Sequence, residues 1–141
     1  MPFDLFLGVP KHRVPPVVLE SGMSENGWIP VNPRTLETRY ENVYAVGDGA
    51  NTGTPKAGVF AEGAARAVAS ALVAKLRSGD IVQYDGFGTC YIEFGAGRIG
   101  KVEVDFFSGP TPTGNYYEPS VALRADKETF ASSRRSRWFG L

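Results

Sequence analysis

The sequence predicts an α+β protein in which a long helix precedes a small antiparallel sheet. Residues 56–77 are rich in alanine and glycine and end at Ser78-Gly79, a helix stop signal. Residues 88–94 and 101–107 have the composition of two strands joined by a glycine-rich turn. Helices and antiparallel strands that occupy separate parts of a chain are typical of the α+β class.

Composition excludes several classes of protein. The chain has 141 residues, of which 43% are hydrophobic, so it is long enough to bury one core. Its 15 basic and 15 acidic side chains cancel, which predicts no nucleic-acid partner. No apolar stretch approaches the roughly 20 residues of a membrane span, and no motif predicts a metal site. The single cysteine, Cys90, excludes an internal disulfide.

The N-terminal part predicts strands that lack neighbours. Residues 3–9 are apolar on both faces, as in a strand buried inside a sheet, yet no earlier element can pair with them. Prolines in residues 10–24 disfavour a helix. Residues 28–31 and 43–46 predict two further short strands. We therefore expect a truncated chain whose exposed strand edges make it a homodimer in isolation.

The C-terminal part predicts a sheet with one face in water. Apolar and charged side chains alternate along residues 101–107, with Lys101 and Glu103 on the predicted solvent side. Residues 108–120 contain several prolines and glycines and predict turns. From about residue 124 we expect a short charged helix that leads to the terminal aromatic residues.

A glycine motif in the hairpin imitates a nucleotide-binding sequence. Residues 95–100, Gly-Ala-Gly-Arg-Ile-Gly, match G-x-G-x-x-G. The dinucleotide-binding motif requires a helix to begin at its third glycine, whereas residues 101–107 have the period of a strand. We interpret the glycines as a hairpin turn, because glycine adopts a positive φ at little cost.

The segment 38–48 carries the most specific signal. It begins with Thr38, continues through the apolar-aromatic strand 43–46 and ends at Gly47 and Asp48. In open α/β sheets ligands bind beyond the carboxyl ends of strands, and a carboxylate there can accept hydrogen bonds from sugar-like hydroxyls. Gly-Asp alone would fit a plain turn after a strand equally well.

This whole segment resembles the second FAD-binding motif of the pyridine nucleotide-disulfide oxidoreductase superfamily. The resemblance implies that Asp48, following Gly47, contacts the ribityl chain of FAD. The first motif, which holds the pyrophosphate, is not found in the sequence, so we expect FAD in the full-length parent and not in this chain. The chain would then be a C-terminal half. Residues 1–80 would be the remnant of a three-layer FAD/NAD(P)-binding domain, and residues 81–141 a C-terminal interface domain of β-hairpin and helix.

Two more segments narrow the resemblance. Residues 27–33 and 54–58 are similar to flavocytochrome c sulfide dehydrogenase and sulfide:quinone oxidoreductase. In that branch the segment matching Pro55, Lys56 and Ala57 opens the helix that lies against the flavin ring. A helix N-terminus carries about half a positive charge, which suits a reduced flavin. The alternative for Lys56 is a solvated lysine in the first turn.

Cys90 resembles the late cysteine of sulfide:quinone oxidoreductases, which lies near the flavin and takes part in sulfur transfer. Those enzymes often continue with proline, whereas Tyr91 follows here. A redox role would also need a second thiol, which would belong to the absent N-terminal half. Cys90 is therefore the candidate catalytic residue, and a structural cysteine in a strand is the equal alternative.

The resemblance implies that the parent protein is a FAD-dependent oxidoreductase. It would oxidise sulfide or a related two-electron donor and pass electrons to a quinone or a cytochrome, while the isolated chain would be inactive. The alternatives are a parent of the type II NADH dehydrogenase kind and a cofactor-free interaction or structural domain. Residues 130–141 either dock on the hairpin or contact the acceptor or a membrane surface. Cytoplasm, membrane periphery and periplasm therefore all stay open as locations.

Overall fold

The computed structural model describes Pro2 and residues 4–141. The elements, in chain order, are α1 (Pro16–Glu20), β1 (Ile29–Pro30), a 3₁₀ turn (Gly47–Gly49), β2 (Ala50–Asn51), α2 (Gly58–Arg77), β3 (Phe87–Glu93), β4 (Ile99–Asp105), β5 (Thr113–Ser120) and α3 (Leu123–Phe139). This mixture of helices and an antiparallel sheet agrees with the predicted α+β class. None of the helices in the described ranges is long and apolar enough to cross a membrane.

The predicted strand at residues 3–9 is not formed in its described part. Phe3 lies outside the described residues, and residues 4–9 belong to no helix or strand. Leu7 and Val9 are 82% and 84% exposed. A strand needs a neighbour to pair with its backbone, and no described segment pairs with this one in a ladder.

The predicted strand at residues 43–46 is also wrong. Its backbone makes an isolated antiparallel bridge between Glu37 and Tyr44. The amide of Ala45 donates to the carbonyl of Leu36 at 3.1 Å, so the segment folds back on the residues just before it. The nearby strands β1 and β2 pair in parallel over two residues each. Short local pairing thus replaces the sheet interior that the apolar pattern indicated.

A one-turn helix, α1, forms where prolines were expected to prevent one. Pro15 is its N-cap residue and Pro16 its first helical residue. A proline is tolerated there because the first amides of a helix have no acceptor within the helix. The amide of Leu19 donates to the carbonyl of Pro15 at 3.2 Å.

Helix α2 is confirmed, although it begins at Gly58 rather than Lys56. It ends as predicted, where Ser78 adopts a φ of 57° and donates its amide to Ala74. Its buried residues are Phe60, Ala64 and Ala67. The small side chains of Ala64 and Ala67, with Gly63 between Phe60 and Ala64, let the helix lie close to the chain that leads into β3.

The three-stranded sheet has the order β3-β4-β5, with both pairs antiparallel. The G-x-G-x-x-G segment forms the turn between β3 and β4, as predicted. Gly95, Ala96 and Gly97 have φ values of 78°, 49° and 70°. A strand, not a helix, follows the motif, so the amides of a helix N-terminus are lacking here.

Strand β5 was missed, because the prolines of residues 108–120 predicted only turns. It is an edge strand that pairs with β4 alone, and Pro119 lies near its end. Proline cannot donate to a ladder and is therefore confined to edge strands and strand ends. On β5, Tyr116 lies opposite Val102 and Gly114 lies opposite Val104.

The charged face of β4 is covered by α3, contrary to the prediction that it lies in water. The side chain of Lys101 is 16% exposed and pairs with Glu103 at 2.8 Å and Asp126 at 2.9 Å. The ring of Phe130 on α3 packs against Tyr91 with ring centroids 5.1 Å apart. Helix α3 has 17 residues and is longer than the predicted short helix. Alternation of apolar and charged residues along a strand predicts a polar face, but it does not show whether water or a charged helix covers that face.

Tyr84 is the centre of the core and is 1% exposed. Its amide donates to the carbonyl of Arg34 at 2.9 Å. The guanidinium of Arg34 donates in return to the carbonyls of Tyr84 at 3.2 Å and Phe107 at 2.8 Å. The ring of Tyr84 meets that of Phe107 edge to face, and a side chain at Gly63 would lie 3.0 Å from the tyrosine ring.

We expect Tyr84→Ala to lower the free energy of unfolding by about 3–5 kcal/mol, the usual cost of deleting a buried aromatic ring. Tyr84→Phe keeps the ring and loses one hydroxyl contact, so its cost is about 1 kcal/mol. Urea unfolding followed by circular dichroism measures both. The control is Tyr116→Phe, at an exposed tyrosine. Equal losses for Tyr84→Ala and the control would contradict the central place of Tyr84.

We also expect the isolated chain to self-associate through the exposed apolar residues 5–9. Sedimentation velocity at rising concentration should show a dimer. Leu5→Ser combined with Leu7→Ser should weaken the association, whereas Val17→Ser, at an exposed valine outside this segment, should not. A monodisperse monomer at high concentration would contradict this expectation.

Candidate functional site

A small cleft lies at the N-terminus of α2. Its lining consists of Gly47, Asp48, Thr52, Thr54, Pro55, Lys56, Ala57, Phe60, Ala61 and Ala64. The structure therefore brings together all five residues that the sequence suggested for cofactor binding, namely Gly47, Asp48, Pro55, Lys56 and Ala57. The enclosed volume is about 10 Å³, enough for one water molecule. A larger ligand would lie across its mouth.

Gly47 and Asp48 enter the cleft through the 3₁₀ turn. Gly47 has a φ of 75°, which a residue with a side chain adopts only with strain. The amide of Ala50 closes the turn by donating to the carbonyl of Gly47. The turn packs on α2, so Asp48 is held next to the helix N-terminus.

The N-terminus of α2 has no side-chain cap and no acidic residue in its first turn. The amides of Phe60 and Ala61 both donate to the carbonyl of Ala57, at 3.0 and 3.1 Å. The two amides before them, of Gly58 and Val59, therefore have no acceptor within the turn. A Cβ atom at Gly58 would meet nothing within 4 Å. The backbone is open here to a group that carries negative charge.

Lys56 connects the cleft to Trp28. Its Nζ donates to the carbonyl of Ala50 and lies 4.3 Å from the centroid of the Trp28 ring, a cation–π contact. Burial lowers the pKa of Lys56, and the charge of Asp48 opposes that shift. Lys56 is an exposed residue that nevertheless contacts Ala50 and Trp28 and lies within the electrostatic influence of Asp48. No local signal in the sequence marked Trp28 as its partner.

A chain of buried hydroxyls supports the loop that leads into α2. Thr52 and Thr54 are hydrogen-bonded at 2.8 Å, and Thr54 and Tyr84 at 3.2 Å. Burial raises the pKa of Tyr84, so its hydroxyl stays protonated and can donate. Sequence reasoning missed these residues. The pair of threonines around Gly53 is a recognisable turn signal, whereas Tyr84 lies 30 residues away.

Cys90 does not line this cleft. It lies on β3, opposite Val102, and its side chain is exposed. Gly88 shares its face of the sheet, and a Cβ there would meet Phe60, which does line the cleft. Cys90 follows two residues later, about 7 Å further along the strand. Within the described ranges, no group of histidine, cysteine and acidic residues could hold a metal ion.

The electrostatic influence of Asp48 on Lys56 predicts a measurable shift of the lysine pKa. Asp48→Asn should lower the pKa of Lys56 further, because it removes the negative charge that opposes the effect of burial. NMR titration of the Lys56 side chain measures this. Asp80→Asn, in an exposed loop, is the matched control and should leave the pKa unchanged. An unchanged or higher pKa in Asp48→Asn would contradict the coupling.

Comparison with known proteins gives one informative similarity. No protein-family model matches the chain. Over 117 residues, the chain is 29% identical to the mitochondrial sulfide:quinone oxidoreductase of Mus musculus. The matched region covers 80% of this chain and 26% of the mouse protein, so the chain spans about a quarter of that relative's length. The chain is thus similar, at a distance, to part of an oxidoreductase.

Proposed function

We propose that this chain is the flavin-facing, C-terminal part of a FAD-dependent oxidoreductase of the sulfide:quinone oxidoreductase or flavocytochrome c sulfide dehydrogenase kind. The whole protein oxidises sulfide or a related two-electron donor and passes electrons to a quinone or a cytochrome. The observation that carries the proposal is the cleft in which Asp48 lies beside the uncapped N-terminus of α2. The distant similarity to the mouse enzyme supports it.

The residues of the cleft have the chemistry that a flavin needs. The carboxylate of Asp48 can accept hydrogen bonds from the ribityl hydroxyls. The amides of Gly58 and Val59 can donate to the carbonyl of the pyrimidine ring, and the positive end of α2 stabilises negative charge there. Lys56 adds a positive charge nearby. FAD, when bound, supplies the two-electron redox chemistry.

The pyrophosphate of FAD needs a glycine-rich strand-turn-helix, which this sequence does not contain. We propose that a separate N-terminal half supplies it and that the isolated chain holds little FAD and is inactive. Flavin absorbance of the chain, expressed alone and then together with a first-motif segment, tests this. A yellow isolated chain would contradict the division of the site.

Cys90 is proposed to act on sulfur, together with a second thiol from that N-terminal half. Its exposure on the sheet favours this role over a structural one, because cysteines that serve only packing are usually buried. The exposed rings of Trp138 and Phe139, beside Arg135, suit a membrane surface or an electron acceptor.

In the whole enzyme, Asp48→Ala should reduce FAD content, and this loss should not depend on which substrate is supplied. Losing a charged hydrogen bond costs on the order of 1.5–3 kcal/mol, or roughly a tenfold to hundredfold loss of affinity. Flavin absorbance of the purified enzyme gives the occupancy, and Asp80→Ala is the matched control. Full occupancy in Asp48→Ala would remove the proposed flavin site.

Cys90→Ser should leave FAD content and reduction by dithionite intact but abolish sulfide oxidation. Stopped-flow reduction of the flavin by sulfide measures the defect. Normal sulfide turnover would make Cys90 structural and would direct attention to another donor. Turnover with NADH in place of sulfide would favour a type II NADH dehydrogenase, and no flavin at all would favour a cofactor-free domain.

A further inference from the structure

A second cleft, on another side of α2, contains a cluster of arginines. It lies between α2, β3 and α3 and has a volume of about 280 Å³. The lining residues that bear on its chemistry are Glu62, Arg66, Asp85, Lys101, Arg134 and Arg137. Basic side chains therefore outnumber acidic ones around a space many times the roughly 30 Å³ of one water molecule.

Glu62 orients two of the arginines. Its side chain is 11% exposed. One carboxylate oxygen accepts a hydrogen bond from Nε of Arg134 at 2.8 Å, and the other accepts one from Nη1 of Arg137. Arg134 is fixed further by stacking on Phe130, with the guanidinium carbon 3.5 Å from the ring centroid. A nearly buried carboxylate thus holds two guanidinium groups in place before any ligand arrives.

The arginines keep donors that the protein does not use. Nη1 of Arg134 donates to the carbonyl of Phe130, and Nη2 has no acceptor in the described chain. Arg137 likewise keeps Nε and Nη2. Arg66 has no hydrogen bond or ion pair to any described residue. Together, the three side chains present more N–H donors, and more positive charge, than Glu62 satisfies.

The other two charged residues of the cleft, Lys101 and Asp85, add little to the attraction for an anion or oppose it. Lys101 is already paired with Glu103 and Asp126, so it contributes little to an incoming anion. Asp85 opposes an anion, although its Oδ1 accepts the amide of Phe87 at 3.0 Å. The attraction therefore comes from Arg66, Arg134 and Arg137, and Asp85 limits it.

We propose that this cleft binds a small oxyanion with two negative charges, of the phosphate, sulfate or thiosulfate class. The planar fork of arginine matches the oxygen edges of such anions and can donate two hydrogen bonds at once. The site is separate from the cleft at the N-terminus of α2 and does not depend on the proposed oxidoreductase function.

The test is titration of the whole chain with inorganic phosphate and with thiosulfate at constant ionic strength, followed by NMR of the arginine side chains. Saturable binding at one site is expected. Arg137→Gln should weaken it roughly tenfold or more, the usual cost of one charge-assisted hydrogen bond. Arg66→Gln, at an exposed residue with no partner to lose, should weaken it by about threefold, as for a screened surface charge.

Two further variants keep the experiment decisive. Arg135 lies on the same helix as Arg137 but outside the cleft, so Arg135→Gln should leave anion binding unchanged. Asp85→Asn should strengthen binding, because it removes the opposing charge and retains an oxygen for the Phe87 amide. Circular dichroism checks that each variant is folded. Non-saturating titrations would overturn the proposal. Equal losses in the Arg135 and Arg137 variants would overturn it as well, since they would mean only general attraction.

Discussion

The packing of Tyr84 is the interaction on which the other parts of the molecule depend. Its ring lies between α2 and Phe107 at the end of the sheet, and its backbone is bound on both sides by Arg34. Its hydroxyl reaches Thr54 in the loop that leads into α2. One buried side chain therefore connects the helix, the sheet and the edge of the candidate flavin cleft. Because interiors are close-packed, a change in any of the three parts is transmitted to this ring.

Local signals explain which elements the sequence predicted correctly. Helix α2, strands β3 and β4 and the turn at Gly95 depend on composition, periodicity and glycine conformation within short segments. Residues 4–9 and 43–46 had the pattern of buried strands, but a strand also needs a neighbour. Strand β5 was missed because prolines lie before it and near its end, and an edge strand tolerates a proline at its end. The charged face of β4 was misjudged because its cover, α3, is itself charged.

The same contrast between local signals and contacts of distant segments applies to the candidate site. Asp48 and Lys56 could be predicted together because a loop of only a few residues separates them, and a helix start must lie near the turn before it. The link from Thr54 to Tyr84 and the contact from Lys56 to Trp28 join distant segments. Such contacts leave no periodic trace in the sequence. Cys90 was chosen by resemblance. Strand alternation places it on the same face of β3 as Gly88, beyond the point at which Phe60 packs, and it is exposed there.

The ion pairs of Glu62 have a consequence for how the chain folds. Its two arginine partners follow it by 72 and 75 residues. A ribosome therefore completes α2 well before α3 exists, and during that interval the carboxylate of Glu62 must remain hydrated. Closing contacts between such distant residues costs more chain entropy than closing local ones, so we expect them to form after α2 and the hairpin. We therefore expect α3 to pack against the sheet in a late step of folding, and the nascent chain exposes the charged face of β4 until that packing is complete.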